Sequence, residues 1–227
     1  NTVEFDGVND YIDLGIDTVG PDLNGASGIT FAGWVYPNTL DDSGDNERDN
    51  IIDLGVDGSA VSALYLALRN GGNIWCGGRS ESGDSFQSNE TADTVSEGSW
   101  QHIVCRLDFA NDVVSSYHNG VLVGNQSVSF GSSTYSHGTP TNNDVIGANP
   151  AGSDHWFNGS MDDLGIWKGA LSGDEIYQLY ASNLRKLDRD NWTLTVNQGK
   201  NGSQGLIAGA YTYSSSAKDD AGNLNMT

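Results

Sequence analysis

Oxygen-bearing side chains are the most reactive material in this sequence. Asp6-Gly7-Val8-Asn9-Asp10 gathers two carboxylates and an amide in one short stretch. A calcium ion takes about six to eight oxygens from such groups and from backbone carbonyls, so the stretch is a calcium candidate. The alternative is a plain turn at Asp6-Gly7. A second acidic run holds Asp41, Asp42, Asp45, Asn46, Glu47 and Asp49. It lacks the Gly and terminal Glu of an EF-hand loop at the right spacing and reads as a solvated acidic loop. Asp41, Asp45 and Asp49 are carried as candidate ligand contacts, together with Trp156, which follows Gly152-Ser153-Asp154-His155 and could stand at a rim. A third group, Asp219, Asp220 and Asn223, reads as a turn.

Covalent and acid–base chemistry finds less material. The six Glu residues (Glu4, Glu47, Glu81, Glu90, Glu97, Glu175) are scattered, and none pairs with another at strand spacing. The four histidines show no metal-ligand spacing. There is no Gly-x-Ser-x-Gly and no phosphate-binding Gly-rich loop. Cys76 and Cys105 lie in two short β-like runs with no zinc spacing, which leaves a disulfide between neighbouring strands or two buried thiols. We carry the disulfide forward.

The elements that must hold these groups are strands. Of the 227 residues, 30 are Gly and only 4 Pro, and the acids are 24 Asp against 6 Glu. Asp favours turns and oxygen-ligand loops over helix surfaces. Alternating runs such as Ile29 to Tyr36, Trp100 to Phe109 and Val113 to His118 are separated by Gly, Asn, Asp and Ser clusters. Many short strands at regular spacing predict a sandwich or barrel. His118-Asn119-Gly120 predicts a type I′ hairpin. Ser172 to Tyr180 predicts the one short helix, with Ser172 and Glu175 as a capping box.

Charge is unevenly distributed. The net charge is −20, and residues 1–183 carry five basic and 26 acidic side chains. Residues 184–227 carry five basic and four acidic ones. Such an acidic chain lacks the basic footprint of a nucleic-acid binder or of a protein docked on anionic lipid. No apolar run reaches the roughly 20 residues of a membrane-spanning helix. Two domains are therefore expected: 1–183, and 184–227 as a charged connector (Leu184 to Asp190) followed by extra strands at Trp192 to Val196 and Ala210 to Lys218. The start at Asn1 suggests a segment of a longer protein, with other domains of that chain as partners. Asn-x-Ser/Thr sites at Asn89, Asn125, Asn158, Asn191, Asn201 and Asn225 lean towards secretion.

Six motifs in chain order carry a resemblance. They are Phe5-Asp6-Gly7-Val8-Asn9-Asp10-Tyr11-Ile12-Asp13-Leu14, Phe31-Ala32-Gly33-Trp34-Val35, Trp100-Gln101-His102-Ile103-Val104, and Tyr117-His118-Asn119-Gly120-Val121. Phe157-Asn158-Gly159-Ser160-Met161-Asp162-Asp163-Leu164 and Ala170-Leu171-Ser172 with Glu175-Ile176 complete the set. Together they resemble the laminin-G-like, concanavalin A-like jelly roll. The resemblance implies an all-β, two-sheet antiparallel jelly-roll sandwich. The stretch 191–227 resembles the last strands of an immunoglobulin-like repeat, through Gly209-Ala210-Tyr211-Thr212-Tyr213 and Ala217-Lys218-Asp219-Asp220-Ala221-Gly222-Asn223.

What the resemblance implies goes further. In that family the first strand runs beside the closing one, which would bring Asp6, Asn9 and Asp10 to Asp162 and Asp163 around a structural Ca²⁺. Polysaccharide-cleaving members use Glu-x-Asp-x-x-Glu, which is absent here. The expected function is thus a non-catalytic binding or adhesion module, extracellular or on a cell surface, whose partner is a glycan or a cell-surface protein. An accessory domain of a polysaccharide-degrading enzyme and a structural spacer are the alternatives.

Overall fold

Strand β3 (Gly28–Pro37) shows how the sequence builds the sandwich. Ile29, Phe31 and Val35 enter the core, so Ala32, Trp34 and Tyr36 face the other way, as side chains alternate along a strand. The computed structural model describes residues 2–16, 18–40, 48–55, 64–69, 71–81, 83–138, 142–150, 154–186, 192–196, 216–218 and 224–226. The chain divides into two compact units, Asn1–Tyr180 and Ala181–Thr227.

The first unit is two six-stranded antiparallel sheets. Numbered along the chain, sheet A runs β1 (Val3–Asp6), β12 (Asn158–Trp167), β3, β8 (Gln101–Asp108), β9 (Val113–His118), β10 (Val121–Ser127). Sheet B runs β2 (Ile12–Gly15), β11 (Asp144–Ile146), β4 (Arg48–Leu54), β5 (Leu64–Arg69), β6 (Asn73–Gly78), β7 (Gln87–Thr94). Between them lies one core. Sheet A supplies Phe5, Ile29, Phe31, Ile103 and Leu107, and sheet B supplies Leu54, Leu64, Leu66, Leu68 and Ile74. This is the two-sheet sandwich that the resemblance implies, and one of the two architectures expected from the strand spacing.

Local signals translate directly. Val121 pairs with His118, and Asn119 (φ 49°) and Gly120 (φ 77°) form the two-residue turn between them, both left-handed as type I′ requires. Helix α2 (Gly173–Ala181) starts at the expected capping box. Glu175 Oε2 accepts both the Ser172 N–H and its hydroxyl at 2.8 Å, and the Glu175 N–H donates back to Ser172 Oγ at 3.3 Å. Sheet A's outer face is partly covered by this helix: Ile176 packs on Ala32, Val104 and Tyr117, and Tyr180 stacks on Trp34 at 5.7 Å. A further helical turn, α1 (Gly20–Leu23), was not expected; it has Pro at its start and only four residues, too few for a periodic signal.

Two expectations need correction. Cys76 and Cys105 do form a disulfide, with Cα atoms 5.1 Å apart, but it links β6 to β8. It therefore ties sheet B to sheet A across the core rather than joining neighbouring strands. Trp100 and Val121, two of the motif residues, are 40% and 61% exposed. Trp100 precedes β8, and Val121 lies on the edge strand β10, so neither is enclosed. In the second unit, β13 (Ser182–Lys186) occupies part of the expected connector and pairs with β14 (Trp192–Val196). A second pair joins β15 (Ser216–Lys218) to β16 (Leu224–Met226). Asp219, Asp220 and Asn223 lie outside the described residues.

Candidate functional site

The expected calcium residues do not come together. Val3 stands opposite Met161 and Asp6 opposite Asn158, so Asp162 lies beyond the far end of β1. Four residues of extended strand, about 13 Å, separate the two groups. Asp162 and Asp163 sit within β12, at a bulge between Asp162 and Gly165. Asp162 Oδ1 accepts the Asp163 N–H at 3.0 Å, and Asp163 has φ 49°. At the other end, Asp6 Oδ1 accepts the N–H groups of Val8 (2.8 Å) and Asn9 (3.2 Å), and Asp10 Oδ2 accepts the Asp6 N–H (3.0 Å). Those backbone donors, Val8 first, hold the exposed Asp6 carboxyl below the usual range. Among the described residues, no three His, Cys, Asp or Glu side chains converge as metal ligands. The five residues thus do not fit one calcium site. Asp6-Gly7 is a turn, with Gly7 at φ 74°.

The other expected contacts separate too. Asp41 and Asp45 lie outside the described residues. Asp49 falls in β4 and is 5% exposed, so it belongs to a strand and not to a solvated loop. Trp156 is half-buried, and its Nε1 is covered without a hydrogen-bond partner among the described residues. The backbone carbonyl of its neighbour His155 accepts the Asn50 N–H at 3.1 Å, which places this turn beside β4.

One groove lies on the outer face of sheet A, clear of α2. Its volume is about 430 Å³, and Glu4, Asp6, Asp10, Tyr36, Asn158 and Ser160 line it. Tyr36 leans on Trp100 at 5.6 Å. Glu4 and Asp6 stand side by side on one strand, and the lowered Asp6 carboxyl is the opposite of a general acid, which needs a raised one.

The outer face of sheet B carries a denser set that sequence reading missed. Leu64, Leu66 and Leu68 turn to the core, so Tyr65, Ala67 and Arg69 turn outwards. The pairing register stacks three rows on that face: Arg48–Arg69–Asn73, Asn50–Ala67–Trp75–Glu90 and Asp53–Tyr65–Gly77. Gly77 leaves room for the Phe86 ring, because a Cβ there would meet it at 2.4 Å. Phe86 stacks on Tyr65 at 4.8 Å, and Trp75 meets Tyr65 edge-on at 4.4 Å. Two guanidinium groups rest on these rings. Arg69 Cζ lies 4.2 Å from the Trp75 centroid, and Arg48 Cζ lies 5.2 Å from Trp75 and 5.4 Å from Tyr65.

Polar groups frame the cluster. Arg69 Nη1 lies 3.4 Å from Glu90 Oε2, and Asn73 Nδ2 donates to Glu90 Oε1 at 3.2 Å. Asn50 Nδ2 donates to Asp53 Oδ2 at 2.9 Å. Burial, chiefly, pushes the Tyr65 hydroxyl well above its ordinary range and keeps it neutral. Its oxygen has no hydrogen-bond partner among the described residues, and neither do Arg48 Nε and Asn50 Oδ1. The only signal in the sequence was the scarcity of cations: residues 1–183 hold five, two of them here.

Comparison with known proteins places this geometry. None of the curated proteins matches the sequence. Among solved structures, the chain is similar to the CBM40 of an IT-sialidase from Ruminococcus gnavus bound to α2,3 sialyllactose, with 15% identity and a TM-score of 0.61. That match covers 79% of this chain and 96% of the other. It is similar to a native heptameric SAP-like pentraxin from Limulus polyphemus at 15% identity and a TM-score of 0.55, covering 79% and 81%. A candidate carbohydrate-binding protein from Bacteroides ovatus matches at 17% identity and a TM-score of 0.56, covering 99% of this chain and 58% of that one. At these identities the likeness is one of fold. The family model described as the concanavalin A-like lectin/glucanases superfamily, of laminin-G type, matches residues 6–177. The chain therefore belongs to the concanavalin A-like lectin/glucanase superfamily.

Proposed function

We propose that the first unit is a non-catalytic carbohydrate-binding module that takes a glycan on the outer face of sheet B. The observation that carries this reading is the platform of Trp75 and Phe86, both partly exposed and packed on Tyr65, with Arg48, Arg69 and Glu90 around it. Sugar rings present apolar C–H faces that pack on aromatic rings, and their hydroxyls need polar groups placed at the edge. The sialyllactose-bound CBM40 and the Bacteroides protein lend support, because each name ties the same fold to carbohydrate. Fold alone does not give function, so the weight rests on the face itself.

A secreted or cell-surface setting fits the disulfide, since such bonds persist in oxidising compartments. Among the described residues no helix is long and apolar enough to cross a membrane. Calcium has no part in the proposal, because the residues expected to hold it do not converge. Residues 191–227 keep their resemblance to the last strands of an immunoglobulin-like repeat, which an experimental structure of that segment would test.

The experiment is a glycan array followed by calorimetry. Binding of one or more glycans by the full chain, abolished by Trp75→Ala at an unchanged melting temperature, is the expected result. Hydrolysis of a bound glycan, lost in Glu4→Gln, would overturn the non-catalytic reading. Binding lost in Tyr36→Ala and kept in Trp75→Ala would move the site to the groove on sheet A.

A further inference from the structure

Arg48 and Arg69 face each other directly across β4 and β5. Like charges at opposed positions destabilise a sheet. Both guanidinium groups also share one indole, that of Trp75. The two differ in what offsets their charge. Arg69 has Glu90 at 3.4 Å. Arg48 has the rings of Tyr65 and Trp75 and, among the described residues, no carboxylate within ion-pair distance. Its Nε is covered and makes no hydrogen bond there.

Among the described residues, Arg48 is thus a cation that two rings hold and no carboxylate offsets. Residues 1–183 carry 26 acidic side chains against five basic ones, so carboxylates were plentiful. A guanidinium offers five N–H donors in a rigid fork that matches a planar oxyanion. Beneath it, Tyr65 is 2% exposed and its hydroxyl has no partner among the described residues. A neutral sugar would use the aromatic platform and leave this donor surplus unanswered. A sugar with a carboxylate would use both, its ring on Trp75 or Phe86 and its oxyanion on the fork.

We propose that the outer face of sheet B binds carboxylate-bearing sugars, with Arg48 and Arg69 together holding the carboxylate. This rests on the carbohydrate-binding reading above and narrows it to one ligand class. Glu90 orients Arg69 and is placed to accept a sugar hydroxyl beside the bound carboxylate.

The test is calorimetric titration of the full chain with two acidic probes and their neutral counterparts. The pairs are 3′-sialyllactose with lactose, and tetragalacturonate with its methyl ester. Expected is binding of at least one acidic probe, with its counterpart weaker by about tenfold or more, the scale of a charge-assisted bidentate contact. Arg48→Gln and Arg69→Gln should each weaken the acidic probe by about tenfold and leave the melting temperature within a few degrees. Should Arg48→Gln fail to fold, Arg48→Lys keeps the charge, removes the fork and should still weaken binding several-fold. Which acidic probe binds separates sialic from uronic sugars.

Equal affinity for a probe and its neutral counterpart, both lost in Trp75→Ala, would overturn the carboxylate proposal and leave the carbohydrate reading standing. Acidic-probe binding unchanged in both Arg→Gln variants would also overturn it. No binding to any sugar on a broad array would remove the carbohydrate reading and this proposal with it.

Discussion

His102 gives the sharpest test of how the sandwich handles a buried ionisable group. Its side chain is on the outer face of β8, yet the residue is only 2% exposed, because α2 covers that part of sheet A. The ring lies 5.4 Å from Trp34 and 6.1 Å from Tyr180. Desolvation alone pushes its pKa down from 6.5 to about 4. Between those two values the unfolded chain holds a proton that the folded chain refuses. Stability therefore falls as pH drops from above 6.5 towards 4, and this contribution levels off below. The loss comes to about 2 kcal/mol at pH 5 and about 3 kcal/mol once the folded form also titrates.

Acid also titrates many carboxylates in so acidic a protein, so the measurement must be a difference. His102→Phe keeps an aromatic ring between Trp34 and Tyr180 and has nothing to ionise. It also removes Nδ1, which is buried without a partner among the described residues. At about pH 7 the variant should melt at or above the wild-type temperature. At about pH 5 it should gain roughly 4 to 8 °C relative to wild type, from about 2 kcal/mol in a unit of this size. Parallel melts of the two proteins across that range would refute the burial argument, since an exposed or partnered imidazole would make no such difference.

Two further outcomes follow from the fold. Replacing both Cys76 and Cys105 by Ala removes a cross-link that spans 29 residues of chain and joins the two sheets. The loop-entropy cost is about 3 to 4 kcal/mol, which should lower the melting temperature by about 10 °C in calorimetry. A drop of only a degree or two would mean that the unfolded chain gains little freedom when the bond is lost. Self-repulsion in a chain of net charge −20 should make the melting temperature rise with NaCl, as the screening length shrinks from about 10 Å at 0.1 M to about 3 Å at 1 M. A parallel melt in calcium chloride at equal ionic strength separates screening from binding: a rise specific to calcium would point to ligands other than the five that stay apart.

Short-range features were legible in the sequence because neighbours along the chain decide them. The Asn119-Gly120 turn needs only two residues that tolerate positive φ, and the Ser172–Glu175 box needs only one helical turn. The runs that became β3 and β8 were legible as strands, and the six ordered motifs carried the family resemblance. Long-range placement was not legible. Nothing local says that β1 meets β12 in the register that leaves Asp162 beyond Val3, or that a bulge with Asp163 at φ 49° interrupts the closing strand.

Cys76 and Cys105 could be seen as a pair, yet only the packing of one sheet on the other puts their Cα atoms 5.1 Å apart across the core. The binding face is the clearest case. Arg48, Tyr65, Arg69, Trp75, Phe86 and Glu90 read one by one as ordinary strand and loop residues. Cross-strand pairing of β4, β5, β6 and β7 brings them to one surface, because residues about 20 positions apart in sequence become nearest neighbours in a sheet. The sequence by itself determined the sandwich, its acidic surface and its few cations. Tertiary structure decided which carboxylates stay apart and where two of those cations meet.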